Sequence, residues 1–289
     1  MTTPATAPHV AFLGTGLLGG ALAEAAARRG DRITAWNRTA SKARALAAVG
    51  VQPADTPADA VRGAERVHLV LTDDAAVEEV VAALRPGLAA DAVVVDHTTA
   101  HPAPTAERAR RLNAEGVRYL HCPVFIGPAA ARQGGGTVLA SGPRALFDAV
   151  EPALQRMAAR VAYLGERPDH AAVVKLCGNA FIIGLAGLVA DAYAVAVGAG
   201  LGTDDALRPL EYLDLGAVVN GRGRQMAAGS YAPAFELAMA RKDVRLMTET
   251  AGGRPLAALP GVAARMDALV AAGHGGEDLA ALGRGVVGA

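Results

Sequence analysis

The chain has 289 residues, and its 28 Lys plus Arg balance its 28 Asp plus Glu. This length favours two domains over one, and the zero net charge excludes the extended basic surface of a nucleic-acid-binding protein. Hydrophobic residues make up 52% and charged residues only 19%, which excludes a disordered chain. The two cysteines, Cys122 and Cys177, are too few for a disulfide framework and are typical of a reducing compartment.

Two segments bear on where the protein resides. The first eight residues have neither the basic start nor the apolar core of a secretory signal, so we expect a cytoplasmic protein. Residues 180–202 are long enough to cross a bilayer, but their single charge, Asp191, would cost about 2.5–3.5 kcal/mol at the centre of a membrane. We therefore predict a helix buried in a protein core or subunit interface, and no membrane span.

The first half of the chain alternates short apolar runs rich in β-branched residues with Ala-rich stretches. This alternation predicts βαβ units around a parallel sheet. The predicted helices cover 18–29 and 41–49, because both stretches are rich in Ala and poor in helix breakers. The predicted strands cover 10–13, 32–36, 66–71, 93–96, 119–120, 137–141 and 160–164.

The pattern changes after Pro168. Residues 169–198 are apolar nearly all round and contain no turn signal except glycine, which predicts one long helix of about 45 Å at 1.5 Å per residue. Prolines then divide the rest of the chain into further helices. The sequence thus predicts an α/β fold with a Rossmann-type sheet domain at 1–167, followed by an all-α domain at 168–289 that begins with a long interdomain helix.

A glycine-rich turn follows the first strand, in the run FLGTGLLG at 12–19. Gly-x-Gly-x-x-Gly alone is a weak motif in a chain with 34 glycines, but a strand precedes this one and a helix follows it. In that setting Gly14 allows the tight turn, Gly16 lets the backbone approach a pyrophosphate, and Gly19 lets helix and strand pack closely. The turn therefore predicts a dinucleotide site; the alternative is a glycine turn with only a structural role.

The end of the second strand indicates which dinucleotide binds. Sites for NAD usually carry an acidic residue about twenty residues beyond the glycines, whereas this chain has Asn37 and Arg38 there. A guanidinium about 4 Å from a phosphate gains roughly 4 kcal/mol at an effective dielectric of 20, and Thr39, Ser41 and Lys42 add donors. We therefore predict NADP; the alternative is a solvated basic loop.

Lys175 lies in a run that is otherwise almost uncharged, and Asn179 follows four residues later on the same helix face. A buried amine has a lowered pKa and exchanges protons near neutrality. Carbonyl reduction needs such a donor, because the alkoxide that forms on hydride transfer must be protonated. We predict that Lys175 donates the proton and that Asn179 holds the amine or the substrate oxygen. The alternative is a lysine that reaches the surface from an apolar helix.

The remaining titratable residues carry weaker predictions. His97 and His121 flank the expected cleft, and we interpret them as hydrogen-bonded wall residues. His68 lies on an apolar strand and is expected to be structural. No His or Cys spacing suits a metal, and hydride transfer needs none.

Several motifs in order resemble the β-hydroxyacid dehydrogenase family, which includes 3-hydroxyisobutyrate dehydrogenase and the glyoxylate/succinic semialdehyde reductases and is related to 6-phosphogluconate dehydrogenase. The resemblance covers nearly the whole chain. It is carried by FLGTGLLG at 12–19, WNRTASK at 36–42, DHTT at 96–99, KLCGN at 175–179, YLDLG at 212–216, SYAPAF at 230–235 and RKDVRL at 241–246.

The resemblance implies roles for further residues. Thr99 is expected beside the nicotinamide, and Lys242 is expected to reach the cofactor. The predicted cofactor-binding residues are Gly14, Thr15, Gly16, Leu17, Leu18, Asn37, Arg38, Thr39, Lys42, Leu71, Thr72, Thr99 and Lys242. The predicted substrate residues are Thr99, Pro123, Val124, Phe125, Ile126, Gly127 and Lys175.

One segment departs from the family pattern. The substrate loop of the family usually reads Asp-x-Pro-Val-Ser-Gly-Gly, and its serine and glycines hold a substrate carboxylate. This chain has HCPVFIG at 121–127, so Phe125 stands in place of the serine and Ile126 in place of a glycine. The predicted pocket is therefore more apolar than the family pattern implies.

Three functions remain open. The first is NADPH-dependent reduction of a small aldehyde or keto acid, reversible toward the β-hydroxy acid. The second is imine reduction, because imine reductases share the Trp-Asn-Arg-Thr segment, although they usually lack the lysine. The third is a non-catalytic NADP-binding module. We also expect at least a homodimer, because the helix at 180–202 is too apolar for a solvent-facing surface.

Overall fold

A computed structural model describes residues 7–287 of the chain. Most of the segment expected to lack a secretory signal, residues 1–6, lies outside the described residues. The seven predicted strands are confirmed to within two residues at either end, and two short strands add to them. The strands are β1 (His9–Leu13), β2 (Arg32–Trp36), β3 (Gln52–Pro53), β4 (Arg66–Leu69), β5 (Val93–Asp96), β6 (Arg118–His121), β7 (Val124–Phe125), β8 (Thr137–Ala140) and β9 (Arg160–Tyr163).

Six strands form one parallel sheet in the order β3-β2-β1-β4-β5-β6. Strands β1 and β5 are buried along their whole length, as expected for a sheet that helices cover on both faces. Strands β1 to β3 are added in sequence toward one edge of the sheet and β4 to β6 toward the other, so the strand order reverses between β1 and β4. Ligands of such sheets bind at the carboxyl ends of the strands beside this reversal.

Helices connect the strands of this first part of the chain. Helix α1 begins directly after the glycine-rich turn, and the predicted helix at 41–49 is a short α-helix followed by a 3-10 helix at Ala45–Val49. The helices are α1 (Leu17–Arg28), α2 (Ala40–Arg44), α3 (Pro57–Val61), α4 (Asp74–Leu84), α5 (Pro102–Ala114), α6 (Pro128–Arg132) and α7 (Arg144–Met157).

The last two predicted strands belong to a separate sheet of three strands, in the order β7-β8-β9. Strand β7 pairs with β8 in antiparallel fashion, and β8 pairs with β9 in parallel. Pro123 stands between β6 and β7, and because proline has no N–H to donate, it interrupts pairing with the main sheet at this point. This second sheet carries Phe125.

The chain divides into two compact units, one ending at Gly178 and one beginning at Asn179. The long helix α8 (His170–Gly198) begins where the sequence predicts it, but its first turns belong to the first unit. The cause is local packing: Ala171 is buried, and its N–H donates to Ser141 Oγ at 3.0 Å. The contact-based boundary therefore lies eleven residues after the predicted end of the first domain at 167.

The described part of the second unit is helical, as the sequence predicts. Buried side chains of α11 and α12 form its apolar core, and Asp191 on α8 accepts hydrogen bonds from three N–H groups at the start of α12. The helices after α8 are α9 (Thr203–Leu207), α10 (Leu215–Ala228), α11 (Leu237–Ala251) and α12 (Leu259–Leu269), with short 3-10 or π segments at Arg208–Glu211, Val270–His274 and Leu279–Gly283.

Helix α8 is not the core helix that its composition suggests. By length and composition it could cross a membrane. A core helix would be mostly buried, whereas only 17% of the most apolar window of α8 is buried. Phe181, Ile182 and Ile183 are 57%, 57% and 70% exposed. An apolar pattern all round a helix predicts burial without identifying what covers it, so the core alternative is wrong for the single chain.

Candidate active site

A cleft of about 530 Å³ opens in the first unit at the carboxyl ends of the main-sheet strands. Its walls come from the glycine-rich turn, the ends of β2 and β4, the loop after β5, strand β7 and helix α8. The predicted site residues among its lining are Gly14, Gly16, Leu18, Asn37, Arg38, Thr39, Lys42, Leu71, Thr72, Thr99, Val124, Ile126 and Lys175.

The three glycines of the turn are needed for different reasons. Gly14 has φ +95°, and a Cβ there would lie 2.2 Å from the carbonyl oxygen of Val70. A Cβ on Gly19 would lie 1.9 Å from the carbonyl oxygen of Gly14, so both positions are fixed by packing within the chain. A Cβ on Gly16 would meet no atom within 4 Å. The backbone at Gly16 therefore faces open space, as a site that receives a ligand requires.

Two features of the turn fit a phosphate-bearing cofactor. Helix α1 starts with Gly16 as its N-cap residue, without a side-chain cap and without an acid in its first turn. Its first N–H groups are therefore free of side-chain partners and can donate to an anion. Thr15 Oγ1 is buried and has no hydrogen-bond partner among residues 7–287. The residues present thus suit the dinucleotide that the motif predicts.

Asn37 connects the glycine-rich turn to the end of β2. Its Oδ1 accepts from the N–H of Thr15 at 2.9 Å, and its Nδ2 donates to the carbonyl oxygen of Thr39 at 3.1 Å. An aspartate could accept the first bond but could not donate the second. The exposed side chains of Arg38, Thr39 and Lys42 border the cleft beside it. The end of β2 therefore presents cations and a hydroxyl, and no acid.

Lys175 enters the cleft from the second turn of α8. The residue is 9% exposed, and its Nζ lies 4.2 Å from the centroid of the Phe125 ring. Among the described residues of the first unit, no carboxylate pairs with Nζ and no group accepts a hydrogen bond from it. Burial lowers the pKa of the Lys175 amine from its usual value. An unpaired amine with a lowered pKa at the edge of a cleft is suited to exchange protons with a ligand.

Hydrogen bonds engage both nitrogens of His97, the other titratable residue at this end of the cleft. Arg66 Nε donates to His68 Nε2 at 2.9 Å, so the His68 proton is on Nδ1 and is donated to His97 Nε2 at 2.7 Å. The His97 Nδ1 proton is in turn donated to the carbonyl oxygen of Cys122 at 2.6 Å. Burial lowers the pKa of His97 to about 4. His97 is therefore a neutral wall residue, whereas the Lys175 amine has no hydrogen-bond partner among the described residues of the first unit.

A buried network fixes the loop that presents Thr99. The N–H of Thr98 donates to Asp96 Oδ1 at 2.9 Å, and Thr98 Oγ1 accepts from the N–H of Leu71 at 3.1 Å. The Tyr119 hydroxyl donates to the other oxygen of Asp96 and accepts from Arg108 Nε. These bonds hold the segment before Thr99, so the cleft wall does not depend on a mobile loop.

Seven predicted site residues do not line the cleft. Those of the first unit are Thr15, Leu17, Pro123, Phe125 and Gly127, and those of the second are Asn179 and Lys242. Phe125 is close to the cleft, since it contacts the Lys175 amine. Asn179 is the first residue of the second unit, and Lys242 Nζ lies 2.9 Å from Asp243 Oδ1. The roles of all seven stay predictions.

The sequence reasoning missed the contribution of α4 to the cleft. Ala76 and Glu79 on its first turns line the cleft, together with Val80. The available signal was Asp73, which caps α4 by accepting from the N–H of Ala76 at 2.9 Å. A helix that starts directly after β4 must present its first turn at the carboxyl end of the sheet. Trp36 and Val70 also line the cleft and were not predicted to do so.

Comparisons with known proteins identify the family to which this chain belongs. Residues 9–165 match the NAD binding domain of 6-phosphogluconate dehydrogenase. The chain is 30% identical to glyoxylate/succinic semialdehyde reductase 1 of Arabidopsis thaliana, over 86% of this chain and 89% of the relative.

Two solved structures are similar over nearly the whole chain. An imine reductase of Streptomyces aurantiacus has 28% identity and a TM-score of 0.84, covering 95% of this chain and 98% of its own. A reductive aminase of Aspergillus terreus, solved with NADPH and ethyl-5-oxohexanoate, has 26% identity and a TM-score of 0.85, covering 96% and 98%. With its Rossmann-type sheet, glycine-rich turn and cleft, the chain belongs to the β-hydroxyacid dehydrogenase family of 6-phosphogluconate dehydrogenase-like NAD(P)-dependent oxidoreductases.

Proposed function

We propose that the protein is an NADPH-dependent reductase of small aldehydes or keto acids, reversible toward the β-hydroxy acid, with Lys175 as the proton donor. One observation carries the proposal: the buried amine of Lys175, which has no hydrogen-bond partner among the described residues of the first unit, lines the same cleft as the glycine-rich turn.

The preference for NADP rests on the end of β2. Arg38 and Lys42 are exposed at the cleft and can pair with a 2′-phosphate, and Thr39 can donate a hydrogen bond to it. Asn37 fixes this loop by accepting a hydrogen bond from the N–H of Thr15, whereas an acidic residue at position 37 would repel the phosphate. Steady-state kinetics with NADPH and NADH test this point. We expect a higher kcat/KM with NADPH, and equal or better use of NADH would contradict it.

A bound nicotinamide would supply a hydride, with its two electrons, for the carbonyl carbon. As the C=O π bond breaks, its electron pair moves to the oxygen, and the Lys175 ammonium transfers a proton from Nζ to that oxygen. The product is an alcohol, and the neutral amine then regains a proton from water. Val124 and Ile126 bring apolar surface to this end of the cleft and reduce the access of water. We propose that Asn179 orients the amine or the substrate oxygen, and that Lys242 contacts the cofactor.

A second candidate function is imine reduction. It is favoured by the apolar side chain of Ile126, which lines the cleft, and by the similarity to an imine reductase and a reductive aminase. In this case the Lys175 ammonium would protonate the imine nitrogen, which makes the imine carbon a better acceptor of the hydride that a bound nicotinamide would supply. Lys175 favours the carbonyl reaction because imine reductases usually have no lysine there.

A substrate panel with NADPH separates these functions from a module that only binds NADP. The panel contains aldehydes, keto acids and cyclic imines, each with and without apolar substituents. Oxidation of NADPH by carbonyl compounds supports the first function, and oxidation by imines alone supports the second. Binding of NADPH without turnover on any compound would contradict both and indicate the module.

We further propose that the chain acts as a homodimer or higher homo-oligomer. Large apolar side chains are exposed along α8 and along α10 with the segment before it, far beyond the scattered exposure of a monomer. These side chains are Phe181, Ile182, Ile183, Leu185, Leu188, Leu210, Tyr212, Leu213, Leu215, Val218 and Val219. Light scattering should give at least twice the chain mass of 29.2 kDa; a mass near 29.2 kDa would contradict the assembly. We also propose a cytoplasmic location, and no nucleic-acid partner, because the balanced charge provides no extended basic surface.

A further inference from the structure

We propose that Phe125 is a positioning residue for the proton donor: its ring, received in a notch at Gly178, holds the Lys175 amine and controls how readily that amine is protonated. The inference rests on the proposed role of Lys175 and concerns two residues that lie behind its amine. Phe125 does not line the cleft, so it acts through Lys175.

The ring of Phe125 covers one side of the amine. Nζ lies 4.2 Å from the ring centroid, which is within the range of a cation–π contact. The negative face of an aromatic ring stabilises an ammonium group but offers no lone pair to accept its protons. The three N–H groups of the ammonium therefore remain available to a substrate atom in the cleft.

Gly178 makes room for this ring. A Cβ at Gly178 would lie 2.2 Å from Phe125 Cζ and 2.6 Å from Cε1. The tip of the ring therefore rests against the helix backbone three residues after Lys175, on the same face of α8. Only glycine allows this contact, so the two positions form a matched pair across β7 and α8.

Among the described residues of the first unit, burial is the cause of the lowered Lys175 pKa. The other charged residues that line the cleft are Arg38 and Lys42 at the end of β2 and Glu79 on α4. His97 lines the cleft on the loop after β5 and is neutral, because burial lowers its pKa to about 4. Protonation of the amine is therefore set by two opposing influences. Burial favours the neutral amine, and the ring face favours the ammonium.

Two substitutions of Phe125 should shift the Lys175 pKa in opposite directions. Phe125→Leu keeps an apolar cover but removes the ring face, so the pKa should fall by about one unit. Phe125→Ser opens the cover to water, so the pKa should rise toward the 10.5 of a free lysine. A residue with a merely structural role would produce no such reversal of sign.

The chain suits a direct measurement, because it contains only three lysines, Lys42, Lys175 and Lys242. NMR titration of the full chain labelled with ¹³C at lysine Cε should give three lysine signals, of which Lys175→Met identifies one. Only the Lys175 signal should respond to the Phe125 variants, and the exposed Lys42 serves as an internal control. If Phe125→Leu leaves the Lys175 pKa unchanged in a folded protein, the proposal is refuted.

A double-mutant cycle tests the notch independently of titration. Gly178→Ala should lower Tm by about 4 °C or more in the wild-type chain, because the ring must move. In a Phe125→Leu background, where Cζ and Cε1 are gone, the same change should have little effect. Additive effects on Tm would refute the matched pair.

These measurements separate the inference from the proposed function. The NMR titration and the thermal cycle need neither cofactor nor substrate, so they stand if the substrate panel shows no turnover. If turnover occurs but the pH profile of kcat/KM does not follow the pKa shifts of the Phe125 variants, Lys175 is not the proton donor, although Phe125 still holds its amine.

Discussion

The substitution Lys175→Met should strongly lower turnover and at the same time stabilise the fold. Lys175 is 9% exposed and lies in an apolar helix segment, and among the described residues of the first unit its amine has no partner other than the Phe125 ring. Leaving a buried polar group without a hydrogen bond costs about 1–3 kcal/mol, and the ring returns about 0.5–2 kcal/mol of that. Methionine fills nearly the same volume without the charge. We therefore expect a gain of about 1 kcal/mol in the free energy of unfolding at pH 7.

The gain should depend on pH in a defined direction. Burial lowers the pKa of Lys175 in the folded chain below its value in the unfolded chain. Between these two values the unfolded chain binds more protons, so the stability of the wild type rises with pH. The advantage of Lys175→Met is therefore complete below the folded-state pKa and shrinks as pH rises toward 10.5.

Urea denaturation of wild type and Lys175→Met at a series of pH values measures the difference. Lys42→Met is the matched control, because Lys42 is exposed and should produce no pH-dependent gain. A Lys175→Met protein that is less stable than the wild type, or whose advantage is the same at every pH, would refute the argument that the amine is buried at a cost. The same variant should lower turnover by about 10²-fold or more.

The other predictions concern the cofactor turn, the nucleotide preference and the second unit. Gly16→Ala should leave Tm unchanged yet weaken NADPH binding about tenfold or more, because its Cβ would enter only the open space of the turn. Gly19→Ala should instead lower Tm, because its Cβ would clash with the carbonyl oxygen of Gly14. A loss of Tm in the Gly16 variant would contradict this difference between the two glycines. Arg38→Ala should reduce kcat/KM with NADPH about tenfold or more and leave kcat/KM with NADH nearly unchanged. Arg44→Ala, which lies outside the cleft, should change neither value. An equal loss with both cofactors would argue against a contact between Arg38 and the phosphate. Asp191→Ala should cost about 1–3 kcal/mol of unfolding free energy, since three N–H groups lose their acceptor, while NADPH affinity measured on the folded protein stays the same.

The parallel sheet could be predicted from the sequence because five of its six strands contain a short apolar run bounded by turn residues. The glycine turn could be predicted because its function depends on backbone room, which glycine spacing reports directly. The two-residue strand β3 could not be predicted, since it contains Pro53 and has no apolar run of its own. The separate sheet of β7, β8 and β9 depends on pairing between distant segments, which local patterns do not specify.

At the candidate site, the sequence identified which residues carry chemistry better than how they are held. The uncharged run around Lys175 predicted a buried amine, and the structure places that amine at the cleft. The neutral state of His97 could not be inferred, because it follows from the Arg66 and His68 contacts of a neighbouring strand. The position of Phe125 behind the amine also depends on Gly178, which the sequence reasoning treated only as part of a motif.

A crystal structure of the protein with bound NADP⁺ and a carbonyl substrate analogue tests the central claim most directly. It should show the Lys175 amine about 2.6–3.2 Å from the carbonyl oxygen of the analogue, on the side where the nicotinamide C4 faces the carbonyl carbon. An amine that points into solvent, away from C4 of the ring, would contradict the account.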